Sequence, residues 1–269
     1  VRKVIRDASY WYEIHGEGEV IVLLHGFTGR TKSWSSFIEE YKAKFKIFVI
    51  DLPGHGKTRT PTPILMEQSC QDIHEVLKQN GIEKFHLVGY SLGGRTALSY
   101  AMNFQEQLTS LILESASPGL ESEKERVARI DNDEKLARKI EHGGVELFID
   151  FWENIPLFES QKKLPTEVRE AIRNERLSQT KEGLALSLRC MGTGSQPSWW
   201  NDLQKVHIPV LLMVGELDQK FLGINKRMEK SLVNSELKVV HETGHAIHVE
   251  QPEFFGKLVE EFILANRKV

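Results

Sequence analysis

Three short segments carry residue types that could act as one chemical unit. Gly89-Tyr90-Ser91-Leu92-Gly93 sets a serine between glycines, directly after an apolar run and before a helical pattern opening at Gly94-Arg95-Thr96-Ala97. A strand that feeds a helix through such a turn lifts the serine hydroxyl clear of the sheet, because glycines allow close backbone approach. A serine hydroxyl is a weak nucleophile or base until an imidazole takes its proton, and the imidazole needs a carboxylate to hold its tautomer. Gly215-Glu216-Leu217-Asp218 and Gly244-His245 follow in the order acid, then histidine, each at the exit of an apolar run. Ser91, Asp218 and His245 are therefore the expected catalytic residues. Glu216 and Glu114 are alternative acids, and Asp218 could serve as a helix cap. His241 falls on the strand side and His248 in the following turn, which suits structural duties.

Charge that develops on a substrate oxygen calls for N–H donors aimed at it. His25-Gly26-Phe27 ends an earlier apolar run, and the backbone N–H groups of Phe27 and Leu92 are the expected oxyanion pair. His25 is expected to hold its loop by hydrogen bonds. Asp51-Leu52-Pro53-Gly54-His55-Gly56 marks another strand exit and is expected to shape a turn, with no chemistry assigned to Asp51 or His55.

The elements needed to position these groups are legible as alternating patterns. Tyr10 to Ile14, Val20 to Leu24, Phe45 to Ile50, Phe85 to Val88, Leu108 to Leu113, Val210 to Val214 and Leu237 to Val240 read as strands, several apolar enough to be buried on both faces. Gln68 to Gln79, Ile224 to Leu232 and Pro252 to Ala265 read as helices. After Pro118 the strand rhythm stops, and Glu121 to His142, Val145 to Trp152, Pro165 to Leu177 and Gly183 to Met191 all read as helical, with Gly143-Gly144 and Gly192 with Gly194 as candidate hinges. The implied architecture is α/β: a mostly parallel sheet flanked by helices, built from residues 1–117 and 207–269, with residues 118–206 as an inserted helical cap.

Composition removes several other classes. The 269 residues hold 35 Lys and Arg against 38 Asp and Glu, a net charge of −3, with no basic stretch to meet a nucleic acid backbone. No segment approaches the roughly 18 apolar residues of a membrane span, and the first residues lack the apolar stretch of a secretion signal. Cys70 and Cys190 match neither a metal spacing nor a redox pair, so a reducing, cytoplasmic setting is expected. Nothing calls for a metal or an organic cofactor. The expected partner is a small molecule, handled by a monomer or a weak homo-oligomer.

The arginines narrow the substrate. Arg95 follows the serine turn by one helical turn, an odd choice for a pocket holding a neutral ester. Seven of the fourteen arginines (126, 129, 138, 169, 173, 176 and 189) fall in the cap. Most are expected on a solvated face laced with ion pairs, but two or three turned inward with Arg95 would bind carboxylates in bidentate fashion.

With its H-G-F loop, D-L-P-G-H-G turn, G-Y-S-L-G-G-R, G-E-L-D and G-H in that order, the whole chain resembles the α/β-hydrolase superfamily. Leu113 to Gly119, Phe151 to Phe158, Glu175 to Gln179 and Met191 to Trp200 resemble one branch of it. That branch comprises the pyruvate-eliminating synthases of 2-succinyl-6-hydroxy-2,4-cyclohexadiene-1-carboxylate in menaquinone biosynthesis. The resemblance implies a lyase acting on a substrate with three carboxylates. It implies Tyr90, Arg95, Arg129, Trp152 and Arg176 as substrate-binding residues, with Arg173 competing with Arg176 for the last carboxylate. Proton abstraction by the serine, with no acyl-enzyme, is the expected mechanism. The alternatives are a carboxylesterase or C–C bond hydrolase using the same triad, which would want an apolar pocket, and a binding module that has lost catalysis.

Overall fold

The computed structural model describes residues 1–267. Its strands are β1 (Arg2–Ile5), β2 (Ala8–His15), β3 (Glu19–Leu24), β4 (Phe45–Ile50), β5 (Phe85–Tyr90), β6 (Leu108–Glu114), β7 (Val210–Gly215) and β8 (Ser235–Val240). Its α-helices are α1 (Ser35–Tyr41), α2 (Met66–Gln79), α3 (Leu92–Phe104), α4 (Glu123–Trp152), α5 (Thr166–Leu177), α6 (Lys181–Met191), α7 (Gln219–Ser231), α8 (Ile247–Glu250) and α9 (Pro252–Ala265). The strands form one sheet in the order β1-β2-β4-β3-β5-β6-β7-β8. β2 pairs antiparallel with β1 and β4, and all the other pairings are parallel.

Parallel strands must be joined by crossovers, and the connecting helices cover both faces. Alternation along β3 shows the division: Val22 and Leu24 face one core with Ile73 of α2 and Leu98 of α3, while Ile21 and Leu23 face the other with Ile38 of α1 and Val259 of α9. Successive strand side chains point to opposite faces, so a strand read as a continuous apolar run serves both cores.

Between β6 and β7 the described residues contain no strand, in keeping with the reading of that segment. α4 opens at Ser122, whose hydroxyl accepts from the Glu125 N–H while the Glu125 carboxylate returns to the Ser122 backbone N–H. The two helices read on either side of Gly143-Gly144 run as one element with a break at Gly144 (φ 81°, ψ 172°). Ala137, Ile140, Phe148 and Ile149 of α4 pack on Leu184, Ala185 and Leu188 of α6. Phe27 packs against this small core, and Cys190 and Met191 of α6 join the larger one. Between α5 and α6, the Gln179 amide nitrogen donates to the carbonyls of Thr28 (3.1 Å) and Gly29 (2.9 Å) and its oxygen accepts from the Gly56 N–H (2.9 Å).

Two differences from the expected elements have local causes. β1 and α1 are too short for a periodic signal, with four and seven residues. α7 begins at Gln219, five residues earlier than its apolar pattern suggests, because the Asp218 side chain caps it by accepting from the Phe221 N–H at 3.3 Å.

Candidate active site

The three expected catalytic side chains come from three strand exits on the same edge of the sheet. Ser91 sits between β5 and α3 with φ 50° and ψ −105°, a left-handed conformation that a non-glycine residue adopts only under constraint. The constraint is close packing: a Cβ on Gly93 would lie 2.0 Å from the Leu24 carbonyl oxygen. Asp218 follows β7 and His245 follows β8. Their loops lie so close that a Cβ on Gly215 would meet the Gly244 carbonyl oxygen at 2.0 Å.

The result is a connected relay. The His245 Nδ1–H donates to Asp218 Oδ2 at 2.6 Å, and Ser91 Oγ lies 3.0 Å from His245 Nε2, where its hydroxyl can donate. Asp218 divides its carboxylate, one oxygen on the imidazole and the other on the α7 cap. Glu114, the alternative acid, is fully buried and binds His248 instead, accepting from its Nδ1 (2.9 Å) and its backbone N–H (3.1 Å). Glu216 accepts from the exposed His241 at 2.6 Å.

The relay opens into a cavity of about 930 Å³. Phe27 and Leu92 line it, and among the described residues neither backbone N–H has a protein acceptor, which leaves both free for an oxyanion. His25 fixes the Phe27 loop: its Nδ1–H donates to the Gly26 carbonyl (2.8 Å) and its Nε2 accepts from the Leu52 N–H (2.9 Å). His55 works in the same way, accepting from the Thr28 N–H at 3.2 Å. Both must stay neutral to accept, and burial pushes their pKa values down, to about 4 for His25 and about 3 for His55, the latter helped by the adjacent His25. Asp51 accepts from the Thr31 (2.6 Å) and Lys57 (2.7 Å) N–H groups, so it is spent on the turn.

Of the substrate-binding residues implied by resemblance, Tyr90, Arg95, Arg129 and Trp152 line the same cavity. Arg95 donates to the Met191 carbonyl (2.9 Å) and to Gln196, with no carboxylate in ion-pair range among the described residues. Burial, then the like charge of Arg129, pulls its pKa down, to about 9. The charge of Asp133 opposes this shift, and a guanidinium gives up its proton with great reluctance, so Arg95 stays cationic. Arg129 is held by Asp133 at 2.8 Å. Trp152 stacks on Phe148 and meets Phe27 and Phe158 edge-on, and its buried indole N–H has no partner among the described residues.

Arg176 is the exception. It is buried, donates to Gln161 at 3.1 Å, and lies 4.6 Å from the Phe158 ring centroid. It lines a separate pocket of about 280 Å³, which shares Phe158 and Lys162 with the main cavity. Its competitor Arg173 faces that smaller pocket too and is taken up by Asp150 (2.6 Å) and Glu153 (2.5 Å). The Arg176 charge nonetheless reaches Tyr90, which lines the main cavity beside Ser91. Sequence reasoning missed Phe158 and Phe221, whose rings pack on His245 at 6.2 and 4.6 Å, and the cavity-lining lysines 162, 163 and 220. Only Lys220, two residues after the triad acid, carried a usable signal. No group of three His, Cys, Asp or Glu among the described residues is arranged to hold a metal ion.

Comparison with known proteins agrees with this geometry. The family model for the alpha/beta hydrolase fold matches residues 19–252. A Bacillus subtilis protein that provisionally bears the name 2-succinyl-6-hydroxy-2,4-cyclohexadiene-1-carboxylate synthase is 44% identical over 259 residues, 94% of each chain. The Photorhabdus laumondii protein of that name, without qualification, is 31% identical over 245 residues, 90% of this chain and 84% of its own. The solved structure of MenH from S. aureus superposes with a TM-score of 0.92 at 35% identity, covering 96% of this chain and 99% of that one. The chain therefore belongs to the α/β-hydrolase fold family, on the branch of the 2-succinyl-6-hydroxy-2,4-cyclohexadiene-1-carboxylate synthases.

Proposed function

We propose that this chain is a carbon–oxygen lyase of menaquinone biosynthesis. It eliminates pyruvate from 2-succinyl-5-enolpyruvyl-6-hydroxy-3-cyclohexene-1-carboxylate and leaves the conjugated cyclohexadiene. The observation that carries this reading over plain ester hydrolysis is Arg95: a guanidinium on the cavity wall, one helical turn from Ser91, with no carboxylate within ion-pair distance among the described residues. A half-buried cation without an ion-pair partner is costly, and a polycarboxylate substrate would repay that cost on binding.

Ser91, relieved of its proton by His245, removes the ring proton next to the succinyl ketone. The oxygen of the resulting enolate lies against the Phe27 and Leu92 N–H groups, where charge develops without solvent having to reorganise. Electrons then move through the ring double bond and break the bond to the enolpyruvyl oxygen. The enolpyruvate takes up a proton and departs as pyruvate. Arg95, Arg129, Tyr90 and the free indole N–H of Trp152 hold the substrate so that this proton faces Ser91. Arg176, in the adjoining pocket that shares Phe158 and Lys162 with the cavity, takes the last carboxylate.

Residues 1–117 with 207–269 serve as the catalytic core and 118–206 as the cap, and one chain supplies the whole site, so a monomer suffices. No helix among the described residues is long and apolar enough to cross a membrane. The free, buried Cys70 and Cys190 suit a reducing cytoplasm.

The test is pyruvate release from the enolpyruvyl substrate made in situ by the enzyme that precedes this step, beside hydrolysis of a neutral nitrophenyl ester. Arg95→Ala should cut kcat/KM for pyruvate release by roughly 100-fold, the scale of a lost charged hydrogen bond, and barely change ester cleavage. Fast ester hydrolysis with no pyruvate would overturn the lyase in favour of a hydrolase.

A further inference from the structure

The charged residues lining the reaction cavity are unequal in sign. Arg95, Arg129, Lys162, Lys163 and Lys220 face it, against Glu159 and Asp218, in a chain whose net charge is −3. Internal pairing accounts for some of these. Asp218 is bound to His245, Lys162 to Glu159 at 2.7 Å, and Arg129 to Asp133. Lys163 and Lys220 line the cavity with no ion pair among the described residues. They approach it from different parts of the molecule: Lys163 ends the short 3-10 segment Pro156–Lys163 of the insertion, and Lys220 lies in the first turn of α7, two residues after the triad acid. Both are exposed, whereas Leu92 is buried and Ser91 and Arg95 are partly so, which places the lysines at the mouth and the arginine within.

We propose that Lys163 and Lys220 form an outer anion subsite at the mouth of the cavity, which captures the polycarboxylate substrate and sets how fast it reaches Arg95 and Ser91. The inference rests on the lyase reading and adds two specificity residues to it. Its physics is that of a charged cleft with low-dielectric walls, which concentrates ligands of opposite sign and raises their rate of entry. Lysine suits this duty better than arginine. Its hydrated ammonium on a flexible stem attracts carboxylates without locking them in a bidentate grip, so the substrate can pass inward. The Lys220 ammonium lies 5.7 Å from the Phe221 ring centroid, and that ring lies 4.6 Å from the His245 ring, so a ligand held there is already beside the relay.

The experiment measures kcat and kcat/KM for pyruvate release by the full chain at low and high salt. The variants are Lys163→Gln, Lys220→Gln, the double variant, and a charge-matched control, Lys78→Gln with Lys84→Gln, which lies at the opposite end of the parallel strands. The double variant should lose about tenfold in kcat/KM at low salt and most of the salt dependence, since exposed charges are screened beyond roughly 8 Å at physiological ionic strength. Its kcat should change less than twofold. A kcat/KM and salt slope equal to those of the control would overturn the subsite. So would a loss confined to kcat. If the wild type releases no pyruvate, the lyase reading fails separately, and the subsite is then read by calorimetric titration with tricarballylate. Weaker binding to the double variant than to the control would uphold it, and equal binding would reject it.

Discussion

Two histidine–carboxylate pairs flank the Tyr90 ring, and only one of them is placed for catalysis. His245 with Asp218 and His248 with Glu114 are both buried, both joined through Nδ1, and their imidazoles lie 5.4 and 4.6 Å from Tyr90. They differ in the ring edge turned away from the carboxylate. His245 Nε2 meets the Ser91 hydroxyl above a cavity, whereas His248 packs against Trp34 at 4.6 Å and Phe255 at 5.9 Å. Glu114 also takes the His248 backbone N–H, so that pair ties α8 to the end of β6. The same two residue types give a proton relay or a structural clasp according to what the second nitrogen faces.

The sharpest way to break this comparison is to remove each imidazole. His245→Ala should lower kcat by about a thousandfold or more while the urea midpoint stays nearly fixed, in line with losses at other triads. A residual rate close to wild type would show that Ser91 does not depend on this histidine.

A second contrast involves histidines that accept hydrogen bonds instead of donating them to a carboxylate. His25 and His55 accept backbone N–H groups and have depressed pKa values, so the native state resists protons that the unfolded chain binds below about pH 6.5. Their contribution is intact above that pH and is lost as the pH falls towards 4, by an amount on the order of a few kcal/mol. Denaturant titrations from pH 7 to 4 should show the midpoint dropping across this window. A flat profile would mean that these rings carry no such load.

Glu114→Gln should cost about 1–3 kcal/mol of stability by weakening a buried clasp and leave kcat within a few-fold. Loss of activity without loss of stability would make the two pairs functional equals. The smallest effect is expected at His241, whose side chain is 79% exposed and pairs with Glu216. His241→Ala should leave both activity and denaturant midpoint unchanged within error, since exposed pairs are weak.

The fold and the relay were legible because their determinants are local. A strand buried on both faces is a continuous apolar run, and Ser91, Asp218 and His245 each stand within a few residues of a strand end, where turn residues mark the exit. The oxyanion donors are backbone groups of such exits. β1 and α1 escaped notice because four or seven residues hold too little periodicity. The lysines escaped for a different reason. Residue type and spacing say that a charged side chain exists, while the direction it faces depends on how its element packs, as with Arg176 of α5, whose guanidinium lies by the Phe158 ring and lines the smaller pocket. Likewise, Lys163 and Lys220 lie 57 positions apart in the chain and share a cavity only because the insertion folds over α7. The amino-acid order thus specified which groups meet at the strand exits, through short-range constraints on backbone and hydrogen bonding. Which charges surround them is a property of long-range packing.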